Sequence, residues 1–229
     1  MRLIGIDIAR STQLFVQDEV RPLSGTYFPE SARLVTERYG FTVSPAPADA
    51  LSGGAKFTGG RLIAGSKHVN IADMTIYSNA VQVTTITNTA DSDFVIDDVM
   101  SWSISALGFR RPMTIFPRMY ESALIVEFEK DTSALIEGLN ILSNSYREQF
   151  ANLYNLDAPT ALVSIGIGID PLVAARHLPP PIPTLLKTEF GLVRRTNILY
   201  ESERFFAVGP LKTDTHRQLL EQFERAIPE

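Results

Sequence analysis

Between Ile71 and Phe109 the hydrophobic pattern changes from that of strands to that of a helix, and any fold for this chain must accommodate both in succession. Ile71, Met74 and Ile76 mark one strand, Ser78-Asn79 a turn, and Val81, Val83 and Thr85 the return strand. Beyond Asn88-Thr89-Ala90-Asp91, the residues Val95, Val99, Trp102 and Ala106 recur at helical spacing, and Ile96, Met100 and Leu107 widen the stripe. Gly108 is placed to end this helix. Asp91 and Asp93 stand at its start, where carboxylates accept from free amides and oppose the positive end of the dipole. Asp97 and Asp98 fall with Ser101 and Ser105 on the face opposite the stripe. A divalent cation would need all four acids to converge, and this division between cap and solvent face predicts no metal site.

Upstream, Leu3 to Ile8 alternates, with Ile4, Ile6 and Ile8 as the expected apolar face of a strand and Asp7 on its solvated side; Leu14 to Val16 reads as a second short strand. Pro29 and Gly40 bracket a short amphipathic helix that turns Ala32, Val35 and Tyr39 inward. Residues 44–55, rich in proline and glycine, form an internal loop. The run from Gly53 to Arg61 offers glycine amides together with Lys56 and Arg61 as a cradle for an anion. In a phosphate loop, however, Lys and Ser/Thr directly follow the last glycine and open a helix, whereas Leu62-Ile63-Ala64 reads as a strand. Glycines serving hairpin turns account for the stretch more simply.

A second strand and helix follow. Met119 to Phe128 is apolar on both sides, as expected of a central strand, and Leu135, Leu139, Leu142, Tyr146, Phe150 and Leu153 trace a long helical stripe after a cap at Asp131-Thr132-Ser133. Ala161 to Ile169 predicts an interior strand, with Gly166 and Gly168 on one face to admit a closely packed neighbour. Residues 177–184, with Pro179-Pro180-Pro181-Ile182-Pro183, form a stiff internal connector. Leu192 to Tyr200 and Arg204 to Val208 predict a closing hairpin. Thr213-Asp214 starts a last helix with Leu219, Leu220, Phe223 and Ile227 inward.

The 229 residues contain no cysteine, which removes disulfides, thiolate nucleophiles and cysteine-ligated metals together. His68, His177 and His216 lack a second histidine at i+4 or an acid pattern around them, and are expected at the surface. No serine sits in a G-x-S-x-G elbow and no G-x-G-x-x-G opens a helix. No catalytic residue, metal or cofactor is assigned on these grounds, and the balance leans away from an enzyme. The formal net charge of −5 argues against a broad nucleic-acid footprint. The first apolar stretch is broken by Asp7 and Arg10, and no uncharged run is long enough to span a bilayer, so a soluble cytoplasmic protein without membrane contact is expected.

One compact basic group remains. Arg110 and Arg111 follow the long helix, with Arg118 downstream; they could clamp an acidic partner or a phosphate, or pair with neighbouring carboxylates. The expected fold is α+β, a single domain over 1–229. Its mixed, mainly antiparallel sheet is covered by about four helices in ferredoxin-like strand and helix units. The expected role is non-catalytic interaction or assembly, as a homo-oligomer or as a subunit of a larger complex, joined to a protein partner or to a second copy. The alternative is a binding protein or enzyme for a small anionic, phosphate-bearing ligand held by Lys56, Arg61, Arg110, Arg111 and Arg118.

Overall fold

The structure, a computed structural model, describes residues 1–22, 25, 27–46, 54–132, 135, 140–154, 162–170, 187–195 and 202–228; at 140–142, 150, 153 and 154 it describes the backbone alone. These residues form an α+β arrangement of eight strands and five helices. The strands are β1 (Arg2–Leu14), β2 (Ala55–Ala64), β3 (Lys67–Ile76), β4 (Ala80–Thr85), β5 (Met119–Glu127), β6 (Ser164–Gly168), β7 (Glu189–Arg194) and β8 (Arg204–Gly209). The helices are α1 (Gln17–Val20), α2 (Phe28–Tyr39), α3 (Thr89–Leu107), α4 (Asn140–Tyr154) and α5 (Thr213–Ala226). The ladders β1–β4, β2–β3, β3–β4, β6–β7 and β7–β8 are all antiparallel. The chain divides into two compact units, one of Ile6–Ser122 with Pro210–Thr213, the other of Met1–Gly5, Ala123–Gly209 and Asp214–Glu229. Among the described residues no helix is long and apolar enough to cross a membrane.

In the unit built from Ile6–Ser122 the strand order is β2-β3-β4-β1. The hairpin expected at Ser78-Asn79 joins β3 to β4, with Met74 opposite Val83 and Ile76 opposite Val81. α3 packs on β4 and β3, and α2 packs on β2. The core between them holds Phe57, Met74, Val81 and Val83 from the strands, Val95, Ile96 and Val99 from α3, and Val35 and Tyr39 from α2. Each such large apolar side chain contributes about 1.5–3 kcal/mol relative to exposure. Both helices end as their sequences predict, on glycines in the left-handed region: Gly40 at φ 58° and Gly108 at φ 70°.

The N-cap of α3 is Asn88, whose side chain accepts from the Ala90 amide at 2.8 Å. Asn88, not Asp91, therefore makes the cap bond, while Asp91 stands in the first turn at the start expected for it. Trp102 is half-buried at the margin of the core, edge-on to Tyr39 with ring centres 6.0 Å apart. Gly60 is a matter of packing: an added Cβ would come within 2.4 Å of the Phe41 ring, which lies against its backbone.

β1 is one strand of thirteen residues rather than two short ones. Its covered side is that of Ala9 and Ser11, not that of Ile4, Ile6 and Ile8, and Ile4 is exposed. Small residues let α3 come close: Ser92 Oγ donates to the Ala9 carbonyl at 2.6 Å, and Ser11 Oγ donates to the Thr89 carbonyl at 3.2 Å.

In the other unit the order is β5-β8-β7-β6. β5 buries Ala123, Leu124 and Val126, side chains of both its faces, as a central strand does. The predicted closing hairpin is β7–β8, with Leu192 opposite Ala207. Phe128 packs against Phe205 and Phe223, with ring centres 5.4 and 5.7 Å away. α5 turns His216, Leu220 and Glu224 inward, with Ile227 buried just beyond its end, while Leu219 is exposed. His216 is fully buried against the edge of Phe190, 5.3 Å between ring centres, which corrects its expected surface position. β6 ends the strand order of this unit instead of lying in its interior. Ser133 of the expected cap, Leu139 of the stripe, His177 and the proline connector lie outside the described residues.

Candidate functional site

The five basic residues singled out in the sequence have three different environments. Arg118 is held on all sides: Nη2 lies 2.7 Å from Asp97 Oδ1, Nη1 lies 3.1 Å from Asp93 Oδ1, and Nε donates to Gln13 Oε1 at 3.2 Å. Burial lowers its pKa, and the hydrogen bonds to Asp97 and Asp93 overcome that and raise it. Arg110 donates from Nε to the Arg21 carbonyl at 2.9 Å and from Nη2 to the Asp18 carbonyl, while its own amide donates to Val20 O at 2.9 Å. It closes the C-terminal end of α1 and makes no ion pair among the described residues. Arg111, Lys56 and Arg61 are exposed, and their side chains bond to no described residue. Lys56 and Arg61 stand five positions apart on β2, roughly 16 Å along an extended strand. No ion pair or hydrogen bond joins any two members of this set.

The four aspartates of α3 divide among three cationic partners, Arg118, Arg38 and Lys67. Asp93 and Asp97, one turn apart, close on Arg118, and Asp93 also accepts from the Tyr120 hydroxyl at 3.2 Å. Asp98 accepts from Arg38 Nη2 at 2.7 Å and from the Tyr39 hydroxyl at 2.7 Å. Burial first, and the bond to Asp98 second, push the Tyr39 pKa well above its ordinary value. Asp91 pairs with Lys67 Nζ at 2.9 Å and accepts from Thr87 Oγ1 at 2.7 Å. Burial would raise its pKa, but Thr87 and Lys67 bring it down. These contacts tie α3 to β3, to β5 and to α2, so the acids hold the helix in place and are not gathered at one point.

Among the described residues, β6 presents backbone groups without such internal partners. Its alternate hydrogen bonds to β7 are fixed by Ile169 N donating to Thr188 O at 3.0 Å and Arg194 N donating to Val163 O at 2.8 Å. Both pairs share the register that sets Ile165 opposite Leu192 and Gly166 opposite Gly191. In an antiparallel ladder the bonded positions alternate, so the odd-numbered residues of β6 bond inward to β7. The N–H and C=O groups of Ser164, Gly166 and Gly168 face away from β7. Among the described residues no strand receives them.

The side chains match this open edge. Val163 is 50% exposed, Ile167 62% and Ile169 63%, on the same face as Ile165, and β6 carries no charge. On the other face, among the described residues, Gly166, Gly168 and Gly191 line an open groove of ≈ 810 Å³ with Lys187 and Glu189. An added Cβ at Gly166 would meet nothing within 4 Å, so the close neighbour expected over it is not a described residue, whereas one at Gly168 would touch Glu189 and Thr188 at 3.7 Å.

The edge strand of the other unit is built differently. β2 carries Lys56 and Arg61, and Thr58 exchanges bonds with Val43 at 3.0 and 3.2 Å, which covers its outward groups there. Charges and a capping segment are ordinary protections of a sheet edge, and β6 has neither among the described residues. No protein-family model and no curated protein sequence matches the chain.

Proposed function

We propose that this protein is a non-catalytic assembly protein that associates with itself through β6. One observation carries the reading: an uncharged edge strand whose outward backbone groups at Ser164, Gly166 and Gly168 have no strand beside them among the described residues, next to exposed Val163, Ile167 and Ile169. Such an edge is a template for strand addition, in which backbone bonds give affinity and alternate side chains give selectivity. The test is the mass in solution together with capture from the native host. Light scattering at micromolar concentration gives a multiple of the chain mass; a monomer contradicts self-association, and a monomer that also recovers no partner contradicts any assembly role.

A second reading, binding of a small anion, draws on Arg110. Its guanidinium is held by two carbonyls and makes no ion pair among the described residues, and exposed Arg111 adjoins it. Arg110 also borders an apolar cavity of ≈ 60 Å³ lined by Phe15, Val81, Trp102, Leu107 and Phe109. That space takes roughly four water-sized groups, which fits a phosphate or carboxylate with a short apolar tail. Trp102 is the only tryptophan, so its emission reports occupancy directly. A saturable change with hexyl phosphate, absent with hexanol, supports this reading, and no change with either contradicts it.

A further inference from the structure

The segment on the open edge reads nearly the same from either end. From Val163 to Ile169 the residues are Val-Ser-Ile-Gly-Ile-Gly-Ile, and reversal about Gly166 exchanges Ile165 with Ile167, Ser164 with Gly168 and Val163 with Ile169. Apolar positions map onto apolar positions, and small positions map onto small ones. An antiparallel partner related by a two-fold axis reads a strand in just this reversed order.

From this symmetry and the hydrogen-bond parity of β6 we infer that the occupant of the edge is β6 of a second copy, antiparallel and in register about Gly166; the inference rests on the self-association reading above. The parity is decisive. Gly166, Ser164 and Gly168 are the residues whose N–H and C=O groups face outward. In the centred register Gly166 meets Gly166 of the second copy, and Ser164 meets Gly168, so every outward donor has an outward acceptor directly across from it. A shift by one residue would set outward-facing groups against inward-facing ones and lose the bonds. A shift by two keeps the bonding pattern but slides the apolar rows past each other, leaving isoleucines at the ends without a partner.

The side chains agree with the same register. Ile165 falls opposite Ile167 of the second copy at a non-hydrogen-bonded pair, the closer of the two cross-strand spacings, and Val163 falls opposite Ile169. The two-fold axis stands perpendicular to the sheet, so the apolar rows of the two copies form one continuous surface. On the other face glycine meets glycine at the axis and the small Ser164 meets Gly168, so no bulky side chain interrupts the backbone contact. No charged residue in Val163–Ile169 is set against a like charge.

The chain has no cysteine, so single cysteines introduced along β6 report the register without background. In a hydrogen-bonded antiparallel pair the Cα atoms lie about 5.5 Å apart, within the range a disulfide spans. Gly166→Cys is sterically open, since a Cβ there meets nothing within 4 Å. Mild oxidation of Gly166→Cys should convert most of the protein to a disulfide dimer. Ser164→Cys mixed with Gly168→Cys should yield the mixed dimer, and each of the two alone should give at least tenfold less. If Gly166→Cys does not fold, the mixed pair reads the same register independently. A parent protein that is monomeric by light scattering overturns both this inference and the reading on which it rests. A parent dimer whose Gly166→Cys and mixed variants stay unlinked overturns the register alone.

Discussion

Arg194 Nη2 lies 2.9 Å from Glu203 Oε1, and the two side chains retain only 3% and 16% of their exposure. Glu203 also accepts from Thr132 Oγ1 at 2.6 Å and sits at φ 44°, a left-handed conformation that costs a non-glycine residue energy. Removing one partner of a buried pair leaves the other charge uncompensated. Arg194→Met should therefore cost about 3–5 kcal/mol, and Arg194→Met with Glu203→Gln should cost less than the single change. Urea denaturation of the two variants makes the comparison.

Asn88→Ala should destabilise the protein by about 1 kcal/mol, because it removes the acceptor for the Ala90 amide at the start of α3. Asp91→Ala should act through the lost Lys67 contact instead, so its effect should shrink as salt rises, while that of Asn88→Ala should not. Chemical denaturation at low and high ionic strength separates the two.

Tyr39 gives the protein an alkaline dependence with a definite sign. Its folded pKa lies above the ordinary value of 10.0, through burial and the bond to Asp98. The contribution is complete below that value and is lost as pH rises past it, because the unfolded chain ionises first. Stability should fall from pH 9 to 11, and Tyr39→Phe should flatten the fall. What slope remains in the variant belongs in part to Tyr120, whose pKa is raised by burial and by Asp93. Unfolding free energies measured across this range check the difference in slope.

The elements governed by local periodicity are legible in the sequence. The β3–β4 hairpin, α3, and the glycine ends at Gly40 and Gly108 follow from spacing and from the conformations glycine permits. What the pattern does not contain is which side of an element its neighbours cover. Ile4, Ile6 and Ile8 are the more apolar side of β1, yet α3 sits against Ala9 and Ser11, where small side chains let it approach. His216 looks like a surface residue until the buried Leu220 and Glu224 place its side of α5 inward.

β6 shows the same division more sharply. A short apolar run reads equally as an interior strand or an exposed edge. The reversal about Gly166 is readable in the residues alone, but it gains meaning only when the bonds to β7 decide which backbone groups face outward. Of the arginines, Arg118 turned out to be bound by Asp93 and Asp97, contacts that link distant positions and leave no trace in local spacing.

The most direct test of association through β6 is the solution mass of the parent protein beside that of Ile167→Lys, by light scattering at the same micromolar concentration. Ile167 is 62% exposed, so lysine is accommodated in the folded chain, while a charge on each side of a two-fold strand pair opposes it. The expected result is twice the chain mass for the parent and the chain mass for a folded variant. Equal masses for the two proteins, whether both monomeric or both dimeric, would contradict the account.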